Sequence, residues 1–167
     1  MNRLGSLLIG FGQVSEASDV LQDAYQILHQ IGERAGKAVT LLNLGLIAML
    51  RGAHDESMAY INRAQVSQEE LHANADLALT LFHKGGVMLN TNALDEAETA
   101  FEKAGVLLEA NRRVRHGLTR LEVESGAAMV DLARGHHATA RIRMAPMLLR
   151  LSRRQIAGLF APTLAYY

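Results

Sequence analysis

The chain has 167 residues, 49% of them hydrophobic and 20% charged, with no cysteine and 17 Lys/Arg matched by 17 Asp/Glu. This composition excludes a disordered chain, a disulfide framework and a thiolate metal site. The length suits one domain, and abundant Ala and Leu with only two prolines point to an all-α fold.

The zero net charge conceals a split. Residues 1–111 hold 7 Lys/Arg and 14 Asp/Glu, a net of −7, whereas residues 112–167 hold 10 Arg and 3 Asp/Glu, a net of +7. The N-terminal run MNRLGSLLIGFG superficially resembles a secretory leader. It is short and broken by glycine, and no small-x-small cleavage site follows it. No apolar run approaches the roughly 20 residues of a membrane span. The expectation is a cytoplasmic protein without membrane contact.

In chain order, first helices are predicted over 2–11, 36–51, 73–91 and 117–134. Second helices are predicted over 14–32, 54–70, 94–111 and 137–150. Pro146 is expected to kink the last helix or to start a new one, because it lacks an N–H and clashes one turn back. Gly158 and Pro162 should end whatever follows.

A repeat runs through the small residues. Gly5, Gly12, Ala17, Leu21 and Ala24 recur forty residues later as Gly45, Gly52, Ser57, Ile61 and Ala64. They recur again as Gly85, Asn92, Ala97, Phe101 and Ala104. A weaker copy after a step of 43 reads Ala128, Gly135, Ala140, Met144 and Met147. A mid-helix glycine costs about 1 kcal/mol against Ala, which is tolerable where a neighbouring helix comes close. Gly12, Gly52, Asn92 and Gly135 suit left-handed caps that end the first helices. HDES (54–57) and LDEA (94–97) place acids in the first turn of a second helix, where its dipole favours them.

These features resemble the tetratricopeptide repeat (TPR) family over about residues 1–150. The aromatic residues common in that family's first helix are replaced by Leu4, Leu41 and Leu81, and the spacing is 40 rather than 34. The resemblance implies antiparallel helix pairs stacked as a right-handed superhelix. One domain would span 1–167, with repeats at about 1–35, 36–72, 73–116 and 117–150 and a C-terminal helix or tail at 151–167. Repeats of this length are similar to those of large bacterial regulators such as LuxR-type ATP-dependent activators. By that analogy the chain is expected to be a scaffold or sensor within a bacterial regulatory assembly.

In such a stack the first helices line the concave face. The helical wheel assigns Leu42, Asn43, Leu46, Met49, Phe82, His83, Leu89, Asn90 and Met129 to that groove. Leu41, Leu44 and Ala48 are assigned to the core. Two readings of the apolar groove stand: it grips an amphipathic helix or apolar peptide, or tight curvature or segment 151–167 closes it and makes these residues core. Family members that clamp a terminal carboxylate use Lys, Arg and Asn there. Asn43, His83 and Asn90 are the groove's polar residues, which argues against that activity.

Arginines concentrate at the C-terminal end, with Arg141, Arg143, Arg150, Arg153 and Arg154 as a basic patch. No stacking aromatics or reader motif accompany them, which argues against nucleic acid. Pairing with the acidic repeats of a second copy, in a homodimer, is the alternative to a solvated face. Enzyme signals are poor. IGERAGKAV (31–39) departs from a phosphate loop at Ile31 and Ala38, and His136-His137 has no ligand partner at helical spacing. No catalytic residue, metal or cofactor is expected. The best reading is a protein- or peptide-binding module, and the alternative is an oligomerisation domain.

Overall fold

The computed structural model describes the backbone of residues 1–110 and 120–154, and the side chains of 1–110 and 121–146. Among the described residues every element is a helix: α1 (Asn2–Gly10), α2 (Val14–Gln30), α3 (Arg34–Leu50), α4 (His54–Glu70), α5 (Asn74–Asn90), α6 (Leu94–Ala110), α7 (Arg120–Ala133) and α8 (His137–Arg154). Each of α2 to α6 is 17 residues long. Three residues separate each of α1 to α5 from the next helix.

That regularity comes from one turn used repeatedly. The central turn residues Gly12, Gly32, Gly52, His72, Asn92 and Gly135 all have positive φ, from 51° to 78°. At Gly52 the helix end closes with Gly52 N–H to Met49 O and Ala53 N–H to Ala48 O, both 2.9 Å. These bonds satisfy the orphan carbonyls of the last turn. Helix α2 stops at Gln30 and α3 begins at Arg34, earlier than expected in both cases, because Gly32 turns left-handed and Glu33 caps α3.

Helix α8 corrects one expectation. It runs through Pro146 to Arg154 instead of ending near residue 150. Pro146 is exposed, so solvent can satisfy the carbonyl one turn back that loses its N–H. Residues 151–154 thus belong to α8, and the expected tail beyond them lies outside the described residues.

Each helix packs against the next along the chain. In addition α1 approaches α3, α3 approaches α5 and α5 approaches α7, whereas among the described residues the backbones of α2, α4, α6 and α8 stay apart from one another. The first helices therefore crowd along the inner side of the stack and the second helices splay along the outer side.

The close approach within each pair rests on glycine. A methyl group at Gly5, Gly45 or Gly85 would stand 2.6, 2.9 or 2.7 Å from Leu21, Ile61 or Phe101 respectively. Those three large side chains are at most 2% exposed, and Ala17, Ala97 and Ala104 are fully buried beside them. The core is thus a row of large plugs seated against glycine backbones, with three clusters along the stack.

Candidate protein-interaction surface

The residues expected to line the groove differ in exposure. Leu46 and Met49 of α3, Phe82 and Leu89 of α5 and Met129 of α7 are all partly exposed, and Asn90 is exposed. Phe82 and Leu89 rest on the cluster around Phe101, with the Phe82 and Phe101 ring centres 5.7 Å apart. Met49 rests on the cluster around Leu41 and Val87.

Leu42 and Asn43 lie elsewhere. Leu42 is 3% exposed and belongs to the core with Ile61 and Val87. Asn43 is also buried, and its Nδ2 has no hydrogen-bond partner among the described residues. The surface therefore does not include these two. The cause is geometric: α3 packs against α1 on one side and α5 on the other, so little of it is left to face the groove.

His83 is half-buried and stacks edge-on against Phe82, with ring centres 5.2 Å apart. Desolvation pushes its pKa down from 6.5 to about 4, so it is neutral at pH 7.

The outer side differs. Hollows of about 390 Å³ and 460 Å³ open between consecutive second helices. The first lies between α2 and α4, where Arg63 Nη2 donates to the Tyr25 hydroxyl at 2.7 Å. The second lies between α4 and α6, where Lys84 Nζ donates to Gln65 Oε1 at 2.9 Å. Desolvation lowers the Lys84 pKa, and the Lys103 charge lowers it further, against the raising effect of Glu69. Sequence reasoning passed over these hollows because they depend on how far the second helices splay.

Two further sequence features find structural explanations. In 31–39 the N-terminus of α3 is taken by the chain's own carboxylate, with Glu33 accepting from Ala35 N–H at 2.9 Å and Gly36 N–H at 2.7 Å. An anion there would compete with that cap. In the basic region, Arg143 pairs with the 5%-exposed Asp131 at 2.9 Å, and Arg134 pairs with Glu98 at 2.6 Å and with Asp95. These arginines join α7 to α6 and to α8. Arg141 is exposed, and the side chains of Arg150, Arg153 and Arg154 lie outside the described residues. Among the described residues no His/Asp/Glu cluster could hold a metal ion. No described helix is long and apolar enough to cross a membrane.

The paired, glycine-seated helices define an all-α helical-repeat fold of the TPR-like kind. Solved structures share it: the kinesin light chain nearly identical TPR-like repeats of Podosopora anserina superpose with a TM-score of 0.69 at 15% identity, over 92% of this chain and 74% of that one. A single-residue variant of those repeats gives the same figures. At that identity the likeness is one of fold. No protein-family model and no curated protein matches the sequence.

Proposed function

We infer that the chain is a protein- or peptide-binding scaffold whose ligand lies along an inner strip on the first helices. What supports this is that Leu46, Met49, Phe82, Leu89 and Met129, all on first helices, are large apolar side chains left partly exposed. Such side chains suit an apolar ligand, such as one face of an amphipathic helix, and the methionines can adapt to that face. In this reading residues 1–167 form one repeat domain of four helix pairs, acting within a regulatory assembly in the cytoplasm.

The test is fluorescence anisotropy with two labelled peptides of identical composition, one with a single apolar helical face and one scrambled. The apolar-faced peptide binds more tightly, and Leu46→Ser/Met49→Ser removes that preference while circular dichroism stays unchanged. Equal binding of both peptides, or a preference that survives the double substitution, overturns the reading.

A further inference from the structure

The hollow of about 390 Å³ between α2 and α4 departs from the repeat that surrounds it. Its lining runs from Tyr25 to Ser67, away from either end of the chain. Lys37 of α3 and Ser67 of α4 are among its walls, and both are only half-buried. Forty residues on, the same places are held by Leu77 and Leu107, which pack in the cluster around Phe101. Polar side chains therefore line an opening here, at positions that the next pair commits to its core.

The charge of the hollow is equally out of keeping. Residues 1–111 carry a net −7, yet the hollow is lined by two cations, Lys37 and Arg63, and by no carboxylate. The acids within one turn of Lys37 and Ser67 are engaged elsewhere. Glu33 caps α3, Glu70 pairs with Arg34, and Glu69 accepts from Gln65 Nε2 at 2.8 Å. Among the described residues the Lys37 ammonium has no ion-pair partner. Arg63 gives one N–H to the Tyr25 hydroxyl and has its Cζ 5.6 Å from the centre of that ring. It is thus positioned without being neutralised. Leu41 and Val66 supply an apolar floor and wall. The hollow between α4 and α6 differs, since Asp95 and Glu96 line it beside Lys84 and Lys103.

We propose that the hollow between α2 and α4 binds a small organic acid, a carboxylate carried on a compact apolar body. The carboxylate lies between Lys37 and Arg63, whose planar guanidinium offers it the N–H groups not given to Tyr25. The Ser67 hydroxyl donates to it as well. The apolar body rests on Leu41, Val66 and the Tyr25 ring. A few convergent polar groups above an apolar floor are what a small-ligand site requires. A bare inorganic anion would leave Leu41 and Val66 uncovered, and a neutral apolar molecule would desolvate two cations without pairing them. The site lies on the outer side of the stack. It shares no residue with the inner strip, so either reading can fail alone.

Amide NMR spectra of the 167-residue chain, titrated with N-acetylphenylalanine, test it. Saturable shifts are expected on α2, on the first half of α3 and on α4. The neutral probe N-acetylphenylalaninamide and inorganic phosphate should each bind at least about tenfold more weakly. Lys37→Leu restores the residue that the repeat carries at Leu77, so it keeps the fold while removing one cation. It should weaken binding of the acid by about tenfold or more, and Arg63→Gln should do the same. Circular dichroism confirms that both variants stay helical. No saturable shift with N-acetylphenylalanine overturns the proposal. So does an amide or a phosphate that binds as tightly as the acid, and so does binding that survives both substitutions. Shifts centred on Leu46 and Phe82 would move the ligand to the inner strip and overturn it too.

Discussion

Phe101 of α6 lies so close to Gly126 of α7 that a methyl group at Gly126 would stand 2.5 Å from its Cε1. The same ring bars a methyl group at Gly85 of α5, at 2.7 Å. One side chain is thus held between two helix backbones, its own partner and the next first helix. Through that ring the repeats are coupled as well as stacked.

The coupling predicts a non-additive pair of substitutions. Gly126→Ala gains about 1 kcal/mol of helix propensity but forces the ring to shift, at about 1–3 kcal/mol. The expected result is a lower urea midpoint. Phe101→Leu alone leaves space and also destabilises. The double variant should cost less than the sum of the two, because each change relieves the other. A Gly126→Ala midpoint above the parent would show that the ring is not seated against α7.

The repeat was legible in the sequence because its small residues do one job at fixed spacing. Gly5, Gly45 and Gly85 each admit one large plug, and that need leaves a mark at forty residues. The finer period of twenty was hidden. The turns at 32 and 72 have the same positive φ as those at 12, 52 and 92, but residue 72 is His. Gly126 was passed over because the 43-residue step puts Ala128 in register with Gly85. The inner strip was legible only in part. A helical wheel places Leu42 near Leu46, but it cannot tell that Leu42 packs into the cluster of Ile61, Ala64 and Val87.

His83 makes stability depend on pH in a defined window. Its pKa is about 4 in the folded chain against 6.5 as the ordinary value, because burial disfavours the cation. Between those values the unfolded chain binds the extra proton, so stability is full above about pH 6.5 and falls as the pH drops toward 4. The loss attributable to this group is about 3 kcal/mol at its largest, once the pH is below about 4. Urea denaturation of the parent and of His83→Gln across pH 4.5–7.5 isolates it, since the other titrating groups are common to both. The advantage of the parent over the variant should shrink on acidification. A constant difference would mean that His83 is solvated.

Gln68 breaks a pattern its own register sets. The equivalent positions forty residues either side are Leu28 and Leu108. Gln68 is 1% exposed, and neither Nε2 nor Oε1 has a hydrogen-bond partner among the described residues. A buried amide left unpaired costs about 1–3 kcal/mol, and an apolar group of similar shape avoids that cost. Gln68→Leu is therefore expected to raise the melting temperature by several degrees, as about 1 kcal/mol would in a domain of this size. A lower melting temperature would show that the amide is paired in solution, by water in particular, and that the polar position contributes to holding α4 in place.

The turn at His72 offers the sharpest check that one turn serves both within and between pairs. His72 has φ of 51°, and its side chain is exposed. Its N–H bonds Glu69 O at 3.1 Å and Ala73 N–H bonds Gln68 O at 2.9 Å, the same closure that Gly52 and Ala53 make. A side chain in that conformation costs about 1–2 kcal/mol relative to glycine. Glycine gives back part of that gain by loosening the unfolded chain, about 0.4–1 kcal/mol. His72→Gly should therefore stabilise the protein by about 0.5–1 kcal/mol, whereas Gly52→Ala, at φ of 75°, should destabilise it by a similar amount. Paired urea titrations read both. If His72→Gly destabilises instead, the imidazole is making a contact that anchors α4 to α5. The turn between pairs would then differ in kind from the turn within them.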